Sequence, residues 1–406
     1  MGKKNENIAK RSFAFLSLFS GCGGFDLGFT KAGFTCAGAV DIDKKALLVH
    51  ERNILGPTYN FDLSHGTLPL GIPAQVDIVL AGSPCQGFST LGKRDLDDPR
   101  NHLLIVGGKA AITLGAKVFV AENVMSVKSG QHRQYWDRLD STMKEAGYRT
   151  KEVVIDSRQM GLAQSRRRIF LIAWRTGADG EIQFPPIGSQ TLRAALSGVE
   201  GLSNHKPQWL VPDTDEFKIA AAIPPGHKLC NVRNGASAIH TWEIPSVFGQ
   251  ISEDDKKILT EIISLRRRIR VRKSGDADPL PLEYLNKKFG NAAIDRLLSK
   301  NYIKKIAKNE MLVDLSYAFN GKYRRPSWDS HSITVDTRFC NPKYYLHPEF
   351  HRGFSTREAA RLQGFPDDFI FSDHSHDHTL IGNAVAPPVA QYIANFVLEN
   401  LLKDEK

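Results

Sequence analysis

The sequence predicts an α/β protein in which a doubly wound, largely parallel sheet forms the first domain and a smaller, basic domain is inserted into it. Two observations predict the sheet: short apolar runs alternate with helical segments between residues 11 and 178, and a glycine-rich turn follows the first run. A third predicts the second domain, because the alternation stops after Ala178 while proline, glycine and basic residues become frequent. We therefore expect domains at 11–178 and 179–320, and a segment at 321–402 that completes the first domain.

The composition fits an ordinary globular protein with an anionic partner. The chain has 406 residues, of which 41% are hydrophobic and 24% charged, and its 54 Lys and Arg exceed its 44 Asp and Glu. This excess favours a polyanion such as nucleic acid. No apolar run approaches the roughly 18 to 20 residues that span a bilayer. The charged first residues lack the apolar core of a secretion signal, so we expect a cytoplasmic protein that does not enter membranes.

The five cysteines include no Cys-x-x-Cys pair. An odd number without such pairs disfavours both a disulfide framework and a structural zinc site, and we expect no bound metal. The sequence contains no coiled-coil seam, so we expect a monomer.

The first predicted strand, residues 12–19, ends in the turn Ser-Gly-Cys-Gly-Gly of residues 20–24. Such a turn lets a nucleotide-like ligand lie against backbone amides, although tight turns also use glycine for steric reasons alone. A second strand ends at Asp41, about 20 residues after the first glycine, where an acid can accept hydrogen bonds from a ribose. A helix over 44–53 and a short strand that ends at Asp62 follow. Both acids could equally cap a turn.

The next strand, residues 76–80, leads into Gly-Ser-Pro-Cys-Gln-Gly-Phe-Ser, which we place on the loop at the carboxyl end of the strand. Ligands and chemistry collect at that edge of an open α/β sheet, so Cys85 is a candidate nucleophile. The alternative is a buried cysteine that behaves as a small hydrophobe. The glycine, serine, proline and glutamine around it are loop residues, which favours the nucleophile.

Later strands bring charged residues to the same edge of the sheet. Glu122 follows a predicted strand at 117–121, and Arg166 to Arg168 precede the last strand, which ends at Trp174. Consecutive arginines often form a solvated face, but this strand must be buried, so at least one arginine should face the site. The other elements expected here are helices at 100–114 and 134–146 and a strand at 148–155.

The basic middle region has two possible interpretations. Ser252 begins a helix with apolar residues on one side and the basic run 266–273 at its end. Two short helices at 281–288 and 291–300 and a hairpin at 302–315 follow. This order fits a winged-helix DNA reader, but also a small helical insert with a solvated basic face.

The last part of the chain returns to regular helices. A helix capped by Ser355 is stopped by Gly364 and Pro366. A second helix is expected from Leu380 to Leu402.

Taken together, these blocks and their order resemble the DNA (cytosine-5) methyltransferase family of bacterial restriction-modification systems. The combination covers residues 11–175 and 322–402 and is far more specific than any one block. One departure is Ala163, where the family commonly has proline before glutamine. The matching blocks are Phe-Ser-Gly-Cys-Gly-Gly-Phe at 19–25, Gly-Ser-Pro-Cys-Gln-Gly-Phe-Ser at 82–89, Glu-Asn-Val at 122–124, Gln-Ser-Arg-Arg-Arg at 164–168, Arg-Glu-Ala-Ala-Arg-Leu-Gln-Gly-Phe-Pro at 357–366 and Gly-Asn-Ala-Val at 382–385.

The resemblance implies a Rossmann-like methyltransferase sheet that uses S-adenosyl-L-methionine, and a target recognition domain in the basic middle region. In the chemistry it implies, the thiolate of Cys85 would add to carbon 6 of a flipped-out cytosine in double-stranded DNA, and carbon 5 would take the methyl group. Glu122 would hydrogen-bond ring nitrogen 3 and the exocyclic amine. Arg166 and Arg168 would contact the base carbonyl and the flanking backbone. The sequence does not identify the base that removes the carbon 5 proton.

The resemblance also implies a cofactor pocket. Phe19 would stack on the adenine, Asp41 would take the ribose hydroxyls, and Asp62 the adenine amine. The remaining predicted residues would admit the methionine part or complete the pocket around it: Gly21, Gly23, Gly24, Pro84, Asn383 and Val385.

The expected partner is double-stranded DNA of the bacterial nucleoid, with a cognate restriction endonuclease as a functional partner. A tRNA cytosine-5 methyltransferase of the same family is the main alternative, although the long basic middle region favours DNA. A non-catalytic DNA-binding protein would have no need of Cys85 and Glu122. A nicotinamide-dependent oxidoreductase would leave the Pro-Cys loop and the basic domain without a role.

Overall fold

The chain forms two compact units, as seen in a computed structural model that describes residues 12–84, 102–177, 182–272, 277–319 and 321–403. Unit 1 comprises the described residues of Met1–Lys206, His331–Thr337 and Thr356–Lys406, and unit 2 comprises those of Pro207–Ser330 and Arg338–Ser355. Unit 2 begins later than residue 179 because the helix Leu192–Leu196 packs on the helix Thr356–Gln363 within unit 1.

Unit 1 is built on a seven-stranded sheet. Its strands, in chain order, are β1 Ala14–Leu18, β2 Thr35–Asp41, β3 Thr58–Asn60, β4 Ile78–Ala81, β5 Val118–Val124, β6 Arg149–Asp156 and β7 Arg167–Trp174. They lie in the order β3-β2-β1-β4-β5-β7-β6, and only β7 is antiparallel to its neighbours. The predicted doubly wound, largely parallel sheet is confirmed, and its strand order reverses between β1 and β4.

Helices connect most of these strands, and further helices come after β7 in the chain. The described α-helices are α1 Gly24–Lys31, α2 Lys44–Asn53, α3 Leu103–Thr113, α4 Arg133–Glu145, α5 Leu192–Leu196, α6 Asp215–Ala222, α7 Pro245–Phe248, α8 Glu253–Arg268, α9 Leu282–Phe289, α10 Asn291–Ser299, α11 Thr356–Gln363, α12 His376–Asn383 and α13 Pro387–Phe396. Among these described helices, none is long and apolar enough to cross a membrane.

The central strands of unit 1 are apolar because both faces of a parallel sheet are covered. Leu16, Val79, Phe119 and Leu171 come from four adjacent strands and belong to one buried cluster, which Trp136 of α4 completes. This cluster holds the strand ends in fixed positions, and those ends carry the residues of the site described below.

The single helix predicted from Leu380 to Leu402 is wrong, because the chain breaks between α12 and α13 and a π-helical turn at Val397–Leu401 follows α13. Leu380 lies inside α12, the chain is extended at Ala384, and α13 begins at Pro387. Proline lacks the N–H that a helix interior needs and is tolerated in the first turn, so Pro387 sets the start of α13. The C-terminal helix then packs on α1, where a Cβ on Gly28 would lie 2.4 Å from Ala390 Cβ.

Unit 2 contains two hydrophobic clusters. One includes Ile219, Leu229 and Leu346, and the other includes Leu259 and Ile294. Its strands are β8 Lys228–Leu229, β9 Ala238–Ile239, β10 Leu280–Pro281, β11 Ile303–Ile306 and β12 Asn309–Leu315. The helix predicted after Ser252 is confirmed as α8: Asp255 N donates a hydrogen bond to Ser252 Oγ at 3.2 Å.

Candidate active site

A cavity of about 580 Å³ lies at the carboxyl edge of the unit 1 sheet. Residues after β1, β2, β3 and β4 line it, together with the end of β5, the start of β7 and the turn after α12. It flanks the point where the strand order reverses, which is where open α/β sheets bind ligands. The predicted site residues in its lining are Phe19, Gly21, Asp41, Asp62, Pro84, Glu122, Arg166, Arg168, Asn383 and Val385.

Three predicted residues are not in this lining. Cys85 lies outside the described residues. Gly23 and Gly24 are described, but a Cβ on Gly23 would lie 2.7 Å from His50 Cδ2, and one on Gly24 would lie 2.4 Å from Val385 O. Both glycines therefore let other parts of the protein approach α1, and their contact with a methionine group stays a prediction.

The turn after β1 is held by Asp41. Its Oδ2 accepts a hydrogen bond from Gly21 N at 2.8 Å, and its Oδ1 accepts one from Asp43 N at 2.8 Å. Burial raises the pKa of Asp41, and these two bonds oppose the rise. Phe19 has a φ of 56°, a left-handed conformation that is strained for a bulky residue and occurs at ligand sites. The turn therefore places an aromatic side chain and a carboxylate at the cavity.

Two further polar groups border the same cavity. Asp62 is exposed, and its Oδ1 accepts a hydrogen bond from Ser64 N at 2.8 Å, which lowers the pKa of Asp62. Ser20 Oγ is buried and has no hydrogen-bond partner among the described residues. A buried hydroxyl without a partner costs free energy unless a ligand or water meets it. Both groups can therefore bind polar atoms of a ligand.

Glu122 and Arg168 form an ion pair in the cavity wall. Arg168 Nε lies 3.0 Å from Glu122 Oε1, and Glu122 is 7% exposed. Burial raises the pKa of Glu122, while the charges of Arg168 and Arg166 oppose the rise. A buried carboxyl group with a raised pKa can exchange a proton with a ligand.

Arg166 has a different set of partners. It is 3% exposed; its Nη1 donates to Val335 O at 3.0 Å, and its Nη2 donates to Gly382 O and Ala384 O, each at 3.0 Å. These bonds tie the start of β7 to the turn that contains Asn383. They favour a positioning role for Arg166 over the direct base contact that the resemblance implies.

Two glutamines extend this network, and neither was predicted as a site residue. Gln164 Nε2 donates to Leu362 O at 2.9 Å and to Gln363 Oε1 at 2.6 Å, and Gln363 Nε2 donates to Ala384 O at 2.5 Å. Both side chains are fully buried, so these bonds form in a low dielectric and hold one arrangement. The sequence signal that could have identified these residues is their position in two of the motif blocks, Gln164 in 164–168 and Gln363 in 357–366.

The loop after β4 is held by Asn123, which was also missed as a site residue. Asn123 Nδ2 donates to Ser83 O at 3.3 Å, and Val124 N donates to Asn123 Oδ1 at 2.9 Å. Ser83 Oγ also donates to Leu103 O at 3.3 Å. These contacts hold the chain next to Pro84, the residue before Cys85.

The four cysteines that the structure describes are all buried. Burial raises the pKa of Cys22 far above its usual range, so it stays a thiol although it lines the cavity. Among the described residues, one group, Asp26, Cys36 and His50, offers three possible metal ligands within 4.8 Å of one another. Asp26 Oδ2 already lies 2.8 Å from His50 Nε2, and Ser17 Oγ donates to Asp26 Oδ1 at 2.6 Å. We therefore interpret this group as a structural hydrogen-bond network.

Comparisons with solved structures support the fold. The crystal structure of a prophage-encoded E. coli protein, described as a DNA modification methyltransferase, has a TM-score of 0.59 and 23% identity, covering 97% of this chain and 100% of that one. The S. pombe Dnmt2 methyltransferase has a TM-score of 0.52 and 15% identity, covering 95% of this chain and 98% of that one. At these identities the likeness concerns the fold alone.

Sequence comparisons extend to the family. The Type II methyltransferase M.HgiCII of Herpetosiphon aurantiacus is 27% identical over 93% of this chain and 95% of that protein. The Type II methyltransferase M.XorII of Xanthomonas oryzae is 28% identical over 96% of this chain and 85% of that protein. Residues 13–399 match the family of C-5 cytosine-specific DNA methylases. The resemblance seen in the motif blocks is therefore confirmed, and the chain belongs to the C-5 cytosine-specific DNA methylase family.

Proposed function

We propose that this enzyme transfers a methyl group from S-adenosylmethionine to carbon 5 of a flipped-out cytosine in double-stranded DNA, through a covalent adduct with Cys85. The observation that carries the proposal is the buried Glu122 beside Arg168, in the cavity that Pro84 also borders. Cys85 is the next residue in the chain after Pro84. A base-holding acid and a nucleophile are the two groups that this chemistry requires.

The cavity residues fit S-adenosylmethionine, which would supply an electrophilic methyl group. Asp41 and Asp62 offer carboxylate acceptors for the ribose hydroxyls and the adenine amine, and Phe19 offers an aromatic surface for the adenine. Ser20 Oγ is a buried polar atom still without a partner among the described residues. A volume of about 580 Å³ lies within the roughly 300–1,000 Å³ of small-molecule sites. Asn383 and Val385 would complete this part of the pocket.

Glu122 would hold the target cytosine. Because burial raises the pKa of Glu122, one oxygen can keep a proton for ring nitrogen 3 while the other accepts a hydrogen bond from the exocyclic amine. Arg168 would donate to the base carbonyl from its place beside Glu122. Arg166 would act as a positioning residue, because its Nη atoms already bond three carbonyl groups.

Cys85 would act as the nucleophile. Its thiolate forms a sulfur bond to carbon 6, the double bond between carbons 5 and 6 opens, and the proton from Glu122 at nitrogen 3 balances the charge on the ring. Carbon 5, now electron-rich, would attack the methyl group, and the bond from that methyl group to the sulfonium sulfur would break, leaving S-adenosylhomocysteine. Water or another base would then take the carbon 5 proton, which restores the double bond, breaks the bond from sulfur to carbon 6 and releases the thiolate. Nitrogen 3 would return its proton to Glu122. The cytosine must leave the helix for these atoms to meet, at a cost of a few kcal/mol.

The biological setting we propose is restriction-modification, in which methylation protects host DNA from a cognate endonuclease. Support comes from the relatives, which are named Type II methyltransferases and match along almost their whole length. The chain's excess of basic residues suits a DNA substrate. Unit 2 is the proposed target recognition domain.

Methyl transfer to defined nucleic acids tests this proposal. The purified full chain is incubated with S-adenosylmethionine labelled in the methyl group and with either duplex DNA or tRNA, and the digested nucleosides are separated. We expect the label in 5-methyldeoxycytidine. Label in tRNA alone would move the function to RNA, and label in neither would contradict the proposed activity.

A further inference from the structure

The described residues of unit 2 at 252–272 and 277–315 fold in the order of a winged-helix domain. Helix α8 is followed by strand β10, by helices α9 and α10, and by the antiparallel hairpin of β11 and β12. β10 pairs with β12, so the three strands form one small sheet in the order β10-β12-β11. Gly290, with a φ of 86°, joins α9 to α10 in a tight turn. We call these residues the winged-helix module.

The module has its own hydrophobic cluster. Leu259 and Ile262 of α8 pack with Leu285 of α9, Ile294 of α10 and Val313 of β12, and all five side chains are buried. The topology and this cluster favour the winged-helix interpretation over an irregular helical insert. In helix-turn-helix proteins the second helix of the pair enters the major groove and its first residues meet base edges. In this module the second helix is α10.

The exposed side of α10 carries polar groups suited to base edges. Ile294 and Leu297 face the core, whereas Asn291 and Asp295, one helical turn apart, are exposed. Neither of these two side chains has a hydrogen-bond or ion-pair partner among the residues described. Asparagine can bond the adenine edge, and aspartate can accept a hydrogen bond from the cytosine amine.

The arginines of the module divide into two groups. Arg266 pairs with Asp314 at 2.6 Å, Arg296 pairs with Asp255 at 2.5 Å, and Arg272 pairs with Asp278, so these three hold the module together. Arg267 and Arg268, by contrast, are exposed and have no such partner in the described part of the chain. Both line a cavity of about 690 Å³ together with Arg270, Asn234 and Ser264.

This cavity suits a phosphate. Guanidinium groups bind phosphate oxygens through paired hydrogen bonds, and each phosphate that is neutralised releases counterions. Asn234 Nδ2 donates to Thr260 O at 3.2 Å, which fixes this lining residue of the cavity on α8. The hairpin adds three exposed lysines, Lys304, Lys305 and Lys308. If Arg267 and Arg268 only stabilised the dipole at the end of α8, they would not need to line a cavity together with a residue of another segment, Asn234.

We propose that the winged-helix module reads duplex DNA: α10 supplies Asn291 and Asp295 for base edges, and Arg267 and Arg268 supply phosphate contacts. The inference rests on the proposed function, since it takes DNA as the substrate. It adds to that function by assigning base contacts and phosphate contacts to different residues of unit 2. Base contacts select the sequence, while phosphate contacts set the affinity and its dependence on salt.

The test measures binding by the full chain, which requires no methyl transfer. Fluorescence anisotropy with labelled duplex DNA is recorded over a series of NaCl concentrations, and a random-sequence duplex library is selected by binding to find the preferred sequence. The variants are Arg267→Ala with Arg268→Ala, Asn291→Ala, and Asp295→Ala. The control is Lys256→Ala with Lys257→Ala, which removes two positive charges near the amino end of α8 that are ion-paired with Glu253 and Asp254.

The double arginine variant should bind all sequences at least tenfold more weakly, with the slope of log K against log salt smaller by about two. Asn291→Ala and Asp295→Ala should keep the wild-type slope but lose about tenfold in preference for the selected sequence. The proposal is overturned if the arginine variant behaves like the lysine control, or if both α10 variants select the wild-type sequence. A chain that binds as expected but forms no 5-methylcytosine contradicts the proposed function and leaves this inference standing.

Discussion

The two units use charged side chains in opposite ways. In unit 1, two charged groups of the cavity are buried and fixed: Arg166 is 3% exposed and bonds three carbonyl groups, and Glu122 is 7% exposed beside Arg168. In unit 2, Arg267 and Arg268 line an open cavity and are exposed. Fixed, desolvated groups suit one small ligand in one orientation. Solvated arginines suit a polyanion that is recognised largely by its charge.

Removing the acid of unit 1 should have the largest effect. Glu122→Gln keeps the shape of the side chain but cannot give up a proton, so kcat for methyl transfer should fall by about 10² to 10⁴. The control is Glu145→Gln, the same chemical change at an exposed position at the end of α4. Equal rates for the two variants in a labelled-methyl assay would remove Glu122 from the chemistry.

The next largest effect distinguishes Arg166, which precedes β7, from Arg168 within β7. Arg166→Met leaves three carbonyl groups without their donor, so the free energy of unfolding should fall by about 3 kcal/mol. Arg168→Met should change the free energy of unfolding much less, because Arg168 is partly exposed, but should reduce kcat. Urea unfolding and methyl-transfer kinetics on both variants check this. The opposite pattern would make Arg166 the contact to the base and Arg168 the structural one.

Packing in unit 1 should also be intolerant of small changes. Gly28→Ala puts a Cβ 2.4 Å from Ala390 Cβ, and close backbone atoms of α13 limit any shift. We expect a loss of about 1–3 kcal/mol in the free energy of unfolding. Gly33→Ala is not a suitable control because of its positive φ, so Ala32→Ser, next to the end of α1, serves instead. A Gly28 variant as stable as this control would show that the two helices separate easily.

The raised pKa of Glu122 predicts a pH dependence of stability. Burial raises this pKa, so the folded state keeps a proton at pH values where the unfolded chain has lost it. Stability therefore falls as pH rises from the ordinary pKa of glutamate to the raised pKa of Glu122, by about 1.4 kcal/mol for each unit by which the pKa is raised, and does not change further above it. Glu122→Gln should lack this part of the fall. Urea unfolding of both proteins between about pH 4 and about pH 8 measures the difference, and identical curves would contradict it.

The smallest effect on stability belongs to unit 2. Arg267→Ala with Arg268→Ala removes exposed charges from the last turn of α8, so the free energy of unfolding should change by less than about 1 kcal/mol. Thermal unfolding at several salt concentrations measures this change. A fall in the free energy of unfolding as large as that of Arg166→Met would mean that Arg267 and Arg268 stabilise the fold. The contrast between fixed charges in unit 1 and solvated arginines in unit 2 would then be wrong.

Much of unit 1 could be predicted from the sequence because its signals are local. The runs ending at Leu80 and Trp174 are apolar, since a sheet covered on both faces excludes water from each strand. The carboxyl ends of parallel strands meet at one edge, so residues as distant in sequence as Phe19 and Glu122 were expected together and line one cavity. The antiparallel direction of β7 carries no such local signal.

The remaining features depend on contacts between distant residues. Gln164 and Gln363 share a hydrogen bond across 199 positions, and the partners of Arg166 lie 169 to 218 positions away. No periodicity connects such pairs, so the sequence could not assign Arg166 a positioning role. The same holds for Asn123, whose bond to Ser83 depends on the spacing of β4 and β5.

The most direct test of the central claim is a covalent trap. Duplex DNA that contains 5-fluorocytosine is incubated with S-adenosylmethionine and wild type, Cys85→Ala or the control Cys230→Ala, and run on a denaturing gel. Fluorine at carbon 5 blocks the final elimination, so we predict a protein–DNA adduct with the wild type and the control and none with Cys85→Ala. An adduct that persists in Cys85→Ala, or no adduct with the wild type, would contradict the account.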